Sequence, residues 1–482
     1  MSLLDLSYDV LLHILLRLDD RSLSVIVLVC HQLYHLGMPR LMRHVSITSI
    51  RRLIQFCTFM DSELSSQWLP HIRSLTASFI PYLAEHQQHS RPWAARVAIL
   101  VRTSLKLETF ASDCIEELLS LEPTIGDALT ECRWLARIYL LGAGNRAIET
   151  LSRMTSPICK VHLAAIQSLS GADIFSALTP FHSTLEYIHI ADFTLLSSDS
   201  HPRARFPMVR NISMFFCTSS VDTLLKLFPE ARSVWLYSCR MSSSASNWEI
   251  PCWGSLESLE LHGTDLSDVI LTCPIDNVIL SPLDGLGLLT GQSDTIPFLK
   301  LIKAASPSNL EIRVTTAFIG ELLAYDLGCL IPQRECLVLR IIDMDSQNAD
   351  YIMACLETLI TSFKSASTLF YFQFSLSGIP ASPRLFPHKK LEARIQTLAN
   401  ILPTLLAVFL NDDESEEFWH IRRDAEGQAQ MRHLPGKMCL ANYSFWHQAS
   451  TSFREYLSSL SVEPEGRDTD SPLNLTQPQE SI

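Results

Sequence analysis

Residues 6–36 read LSYDVLLHILLRLDDRSLSVIVLVCHQLYHL, a stretch dense in leucine, isoleucine and valine that nevertheless carries Asp9, Asp19 and Asp20. How those apolar side chains are buried decides the rest of the reading. A secretory signal needs a positively charged start and a small-residue cleavage site. Here Asp5 and Asp9 precede the apolar residues, and no Ala-x-Ala-like site follows. The longest span in this region without Asp, Glu, Lys or Arg is residues 22–39, and His31, Gln32 and His35 interrupt it, which argues against a membrane span. The apolar residues must therefore be buried against protein.

Periodicity indicates how. Val10, Ile14 and Leu18 recur at four-residue intervals with Leu11 and Leu15 beside them, the wide stripe of an amphipathic helix. Ser7 is a candidate N-cap, and Asp9 in the first turn meets the positive end of the helix dipole. Asp19 and Asp20 should stop this helix and cap a second one carrying Leu23, Ile26 and Val27. A third is expected from about Cys30 to Leu36, ended by Gly37 and Pro39. Isolated helices shorter than about 12–15 residues are marginal in water, and a unit of roughly 40 residues buries too little surface to stand alone. The stripe thus implies a partner.

With the order of these elements in hand, the segment resembles an F-box. That family's pattern is Leu-Pro, an Ile-Leu pair, Leu-Asp, a Leu, and Val-Cys-x-x-Trp with a final Leu; here it is carried by Leu6-Ser7, Ile14-Leu15, Leu18-Asp19, Leu23 and Val29-Cys30-His31-Gln32-Leu33 through Leu36. Ser7 replaces the usual proline and Leu33 the usual tryptophan; serine can cap a helix and leucine can fill an apolar pocket. Residues 41–47, LMRHVSI, resemble the exit segment of fungal F-box proteins. The resemblance implies a three-helix F-box over residues 1–48 that docks on a Skp-type adaptor. Leu6, Ser7, Val10, Leu11, Ile14, Leu15, Leu18, Leu23, Val29, Cys30 and Leu33 are its candidate adaptor-binding residues. The plainer alternative is a helical hairpin packed on its own domain.

Composition sets wider bounds. The 482 residues are 47% hydrophobic and 18% charged, the balance of a folded chain, and the formal charge of −13 argues against a nucleic-acid backbone as the main partner. Thirteen cysteines are spread singly from Cys30 to Cys439 with no Cys-x-x-Cys pair, which suggests neither a zinc ribbon nor a disulfide framework and favours a reducing compartment. The sequons at Asn211, Asn442 and Asn474 are about as many as chance gives and are expected to go unused.

After Ile47 a short template returns: apolar-x-x-apolar-x-apolar. It occurs as Ile72/Leu75/Ala77, Leu135/Ile138/Leu140, Ile158/Val161/Leu163, Leu185/Ile188/Ile190, Val209/Ile212/Met214, Ala231/Val234/Leu236, Leu256/Leu259/Leu261, Ile275/Val278/Leu280, Leu369/Phe372/Phe374 and Leu405/Val408/Leu410. From Ile138 to Val234 the central residues are 23, 27, 24 and 22 residues apart, the period of a solenoid. Alternate side chains of a strand share a face, so the last two apolar positions should point inward together. Helical spacings such as Val221-Leu224-Leu225-Phe228 and Ile352-Cys355-Leu356-Leu359 lie between copies. This resembles the leucine-rich-repeat family, with Cys217 and Cys239 at its buried turn position; Thr264 and Asp413 depart from it, and after Leu280 only Leu310/Ile312/Val314 and Leu337/Leu339 fill a long interval. The expected fold is α/β, an N-terminal three-helix F-box followed by an irregular leucine-rich-repeat-like solenoid over residues 49–410. The alternative is an unrelated α/β domain with parallel strands.

Beyond it, Asn411 to Glu417 reads as an acidic loop, and Phe418 to Leu434 as a hairpin within a cap at 411–461, since Trp419 and Ile421 share a face across a Gly-containing turn. Residues 462–482, rich in Pro, Ser, Glu and Asp, are expected to be disordered. No Gly-x-Ser-x-Gly, Gly-Lys-Ser/Thr, His-Glu-x-x-His or Gly-x-Gly-x-x-Gly motif occurs. The expectation is a non-enzymatic protein without metal or cofactor. Together the two resemblances imply the substrate-recognition subunit of an SCF-type cullin-RING ubiquitin ligase, in the cytoplasm or nucleus, whose repeats hold an unidentified protein target. A repeat scaffold without any ligase role is the alternative.

Overall fold

The computed structural model describes residues 6–62, 66–78, 87–194, 205–242, 253–264, 273–281, 301–302, 304–305, 307–315, 336–342, 354, 357–358, 360–361, 369, 371–376, 388–412 and 415–435. The chain forms two compact units that divide between Pro307 and Ser308.

The first unit opens with α1 (Tyr8–Arg17), α2 (Asp20–Ile26) and α3 (His31–Leu41). Ser7 takes the N-cap position of α1 without a side-chain cap bond. Asp19 caps α2 as expected, its Oδ1 accepting from the Ser22 amide at 2.7 Å. That bond and the Ser22 hydroxyl hold the Asp19 carboxyl below its ordinary range. The third helix corrects the reading: it passes through Gly37 and Pro39 to Leu41. Gly37 is there for close approach, because a Cβ at this position would lie 2.3 Å from Val27 Cγ1. Local stop signals yield to the packing of α2 against α3.

Arg43 follows α3, and β1 (His44–Ile47) begins a parallel sheet. It continues through β2 (Ser74–Ala77), β3 (Thr109–Ser112), β4 (Arg137–Ala143), β5 (Lys160–Ser170), β6 (Tyr187–Thr194) and β7 (Asn211–Phe215). A short β8 (Thr218–Ser220) pairs with β10 (Arg240–Ser242), while β9 (Ser233–Tyr237), β11 (Leu256–His262) and β12 (Ile275–Ser281) extend the main ladder. The central template residues Leu75, Ile138, Val161, Ile188, Ile212, Val234, Leu259 and Val278 stand in register from strand to strand, with Phe110 of β3, which belongs to none of the template copies, standing between Leu75 and Ile138. None is more than 1% exposed, so this row is the axis of the core.

Helices join the strands: α4 (Ile50–Met60), α5 (Gln87–Thr103), α6 (Ile115–Leu121), α7 (Thr124–Glu131), α8 (Asn145–Arg153), α9 (Gly171–Leu178) and α10 (Val221–Leu227). Neighbouring helices also brace one another. Glu116 of α6 accepts from the amides of Gly144, Arg146 and Ala147 at 3.0–3.1 Å, supplying the orphan donors at the start of α8.

Five strands of this sheet, β4, β6, β7, β9 and β11, share a similar corner. Two residues beyond the third template position, Gly142, Asp192, Phe216, Ser238 and Gly263 adopt φ of 66°, 65°, 53°, 49° and 53°. The next side chain turns back toward the preceding strand. Cys217 Sγ donates to Ile190 O at 3.5 Å, Cys239 Sγ to Met214 O at 3.4 Å, and Thr264 Oγ1 to Leu236 O at 2.9 Å. Thr264 is therefore one donor in place of another. The bond to the Cys217 thiol, together with burial, pushes the Cys239 thiol above its ordinary range.

In the second unit, β13 (Asn309–Thr315), β14 (Cys336–Ile342), β15 (Tyr371–Leu376) and β16 (Ala407–Asp412) are parallel, with Leu310, Leu337, Phe372 and Val408 in register. The fragments noted after Leu280 are thus strands. β17 (Ser415–Arg423) and β18 (Ala429–Pro435) add antiparallel, and Trp419 and Ile421 are both buried. Asn411, Asp412 and Ser415 to Glu417 are strand and not loop, Asp412 pairing with Ser415 and Asn411 with Glu416, while residues 413–414 lie outside the described residues. Arg423 donates to the carbonyls of Ala399 and Leu402, both at 2.7 Å, closing the end of α11 (His388–Ile401). The tail at 462–482 lies outside the described residues.

Thr264→Val keeps the volume of the corner and removes its donor, so it should lower unfolding free energy by about 1 kcal/mol, while Thr264→Cys should lose less. Urea unfolding followed by circular dichroism measures both; an unchanged midpoint for the valine variant would mean that the corner needs no donor.

Candidate docking site

The three N-terminal helices divide the apolar stripe into an inside and an outside. Leu11 and Leu15 of α1, Leu23 of α2 and Leu33 of α3 are buried, joined by Val27, Leu36 and Met38. They hold the helices to one another. Arg40 adds a polar tie across the unit, its guanidinium donating to the carbonyls of Leu15 and Leu18 at the end of α1, where helical acceptors lack intrahelical partners.

Of the remaining candidate residues, Leu6, Ile14, Leu18 and Cys30 are half-buried, and Ser7, Val10 and Val29 are exposed. Beside them lie large apolar side chains absent from the sequence-derived set: Tyr8 at 60% exposure, Leu16 at 56%, Val25 at 63% and Leu28 at 79%. Tyr8, Leu12 and Leu16 share one side of α1 by their four-residue spacing, a signal present in the sequence beside the central stripe. Leu28 and Val29 occupy the turn between α2 and α3. Isolated exposed leucines are ordinary; here six large apolar side chains between residues 8 and 29, Tyr8, Val10, Leu16, Val25, Leu28 and Val29, are exposed.

The family model for the F-box domain matches residues 3–37, the same three helices to the middle of α3. The chain therefore carries an F-box, and F-box domains bind Skp-type adaptors. No curated protein matches the chain. No helix among the described residues is long and apolar enough to cross a membrane.

Gly37→Ala forces a methyl group into the contact between α2 and α3. It should cost about 1–3 kcal/mol, the range for overpacking a tight core, and loosen the outer surface with it. Thermal unfolding and limited proteolysis within residues 8–41 report the effect; wild-type stability would show that the helices can separate without penalty.

Proposed function

We propose that the chain is the substrate-recognition subunit of an SCF-type cullin-RING ubiquitin ligase, its F-box docking on a Skp-type adaptor and its repeats holding a target protein. The observation that carries this reading is the split within the F-box: its own leucines close its core, yet Tyr8, Val10, Leu16, Val25, Leu28 and Val29 stay outside. Each apolar side chain covered by a partner contributes on the order of 1.5–3 kcal/mol before association costs. A few of them suffice for a stable interface. The buried candidates Leu11, Leu15, Leu23 and Leu33 shape this surface from beneath.

The parallel strands are read as leucine-rich-repeat-like units. Their uniform register, the helices between them and the recurring corner donors support that reading. In this role the chain performs no bond chemistry. It supplies proximity, raising the effective concentration of target lysines near a thioester carried by other subunits, in the cytoplasm or the nucleus.

Leu28→Asp and Leu16→Asp place charge on the exposed surface and leave the helical core intact. Each should abolish co-purification with the Skp-type adaptor while circular dichroism stays unchanged. Leu15→Asp, by contrast, should unfold the helices. Adaptor retained at wild-type level by the two surface variants would refute the docking surface.

A further inference from the structure

The face of the first unit's sheet that points away from the buried template row carries an ordered set of rings. Across β4, β5, β6, β7, β9 and β11, one register row reads Tyr139, His162, His189, Ser213, Trp235 and Glu260. A second row, two residues further along, reads Phe215, Tyr237 and His262 on β7, β9 and β11. The rings stack from strand to strand: Tyr139 on His162 at 4.3 Å, His162 on His189 at 4.9 Å, His189 against Phe215 at 4.8 Å, Phe215 on Tyr237 at 5.0 Å and Tyr237 on His262 at 5.9 Å. Interplanar angles run from 19° to 34°.

Stacking along the sheet has a chemical consequence. Ring faces are occupied by neighbouring rings, and ring rims point outward. Rims of aromatic rings are electropositive, and the imidazole rims add nitrogens; His189 Nδ1 meets Ser213 Oγ at 3.1 Å. Such a surface suits carbonyl oxygens and apolar groups. It does not suit nucleobases, which need open ring faces. Burial, the neighbouring His189 and Lys160 draw the His162 pKa down to about 4, and burial lowers that of His189, so the middle of the row is uncharged at neutral pH.

Charge returns at the two ends. Arg137 and Lys160 sit side by side on β4 and β5, while Glu260 stands on β11 next to Trp235 and 3.5 Å from His262. Exposed Trp235 and Phe216 flank the acidic end. Five interstrand steps of about 4.8 Å separate β4 from β11, about 24 Å, the reach of about seven extended residues.

We propose that this face binds an extended segment of a partner polypeptide, about seven residues long, with an apolar centre, an acidic residue over Arg137 and Lys160, and a basic residue at Glu260. Its carbonyls lie over the imidazole and tyrosine rims, and its apolar side chains against Trp235 and Phe216. The inference rests on reading the repeats as the target-holding part of the chain and adds the chemistry of what they hold.

The test is selection of a displayed random decapeptide library on the full chain, the Glu260→Lys chain and the Glu260→Gln chain. Wild type should enrich peptides with an apolar core, a basic residue near one end and an acidic residue near the other. Glu260→Lys should replace that basic residue by an acidic one, and Glu260→Gln should erase the preference. Fluorescence anisotropy with the most enriched wild-type peptide should show at least a tenfold loss of affinity for Trp235→Ala. No enriched peptides, or the same peptides enriched by all three chains, would overturn the proposal. Binding of the Skp-type adaptor is measured on the same preparations: adaptor without peptides removes only the peptide site, and peptides without adaptor remove only the ligase reading.

Discussion

Three short helices cannot hide every leucine they carry. In a unit this small, surface is large relative to volume, and the chain commits Leu11, Leu15, Leu23 and Leu33 to holding α1, α2 and α3 together. What remains outside is an apolar rim that water covers poorly and a second polypeptide can cover well. The proposed docking role rests on that limit on burial. So does the need for the two devices that keep the rim in shape: the bare Cα of Gly37 against Val27, and Arg40 reaching back to the carbonyls of Leu15 and Leu18.

The same economy of short elements governs the parallel sheet. A single strand of four to eleven residues buries little alone, and in the ladder from β1 to β12 each strand completes its neighbour. Its first strand begins just past the end of α3, with Arg43 O accepting from the Arg73 and Ser74 amides at 3.0 and 2.9 Å. The docking helices thus lead directly into the sheet. The proposed ligase subunit, working by proximity, would gain from such a join, since a long slack linker would dilute the target near the transfer site.

Much of this was legible in the sequence because it depends on local chemistry and simple periods. Asp19 announced the start of α2, and the template spacing placed Ile138, Val161, Ile188, Ile212 and Val234 in one buried row. The rest depends on contacts between distant residues. A stripe of Val10, Leu11, Ile14 and Leu15 does not disclose which side meets α3. Gly37 and Pro39 look like a stop until Val27 is seen beside them. The acidic run at 411–417 reads as solvent-loving until its backbone pairs across a hairpin, and Thr264 reads as a departure until its hydroxyl reaches the carbonyl that a cysteine thiol reaches elsewhere. The ring ladder was written in plain sight, at fixed offsets from the template, but polar and aromatic residues fall outside a pattern built on burial.

The central claim is that a second polypeptide covers the exposed rim of the N-terminal helices and leaves their core as it is. Hydrogen–deuterium exchange of the full chain with and without purified Skp-type adaptor tests it most directly. The account predicts new protection confined to residues 8–36, strongest around Leu16 and at Leu28 and Val29, with the parallel strands unchanged. Unaltered exchange across residues 8–36 in the presence of saturating adaptor would contradict it.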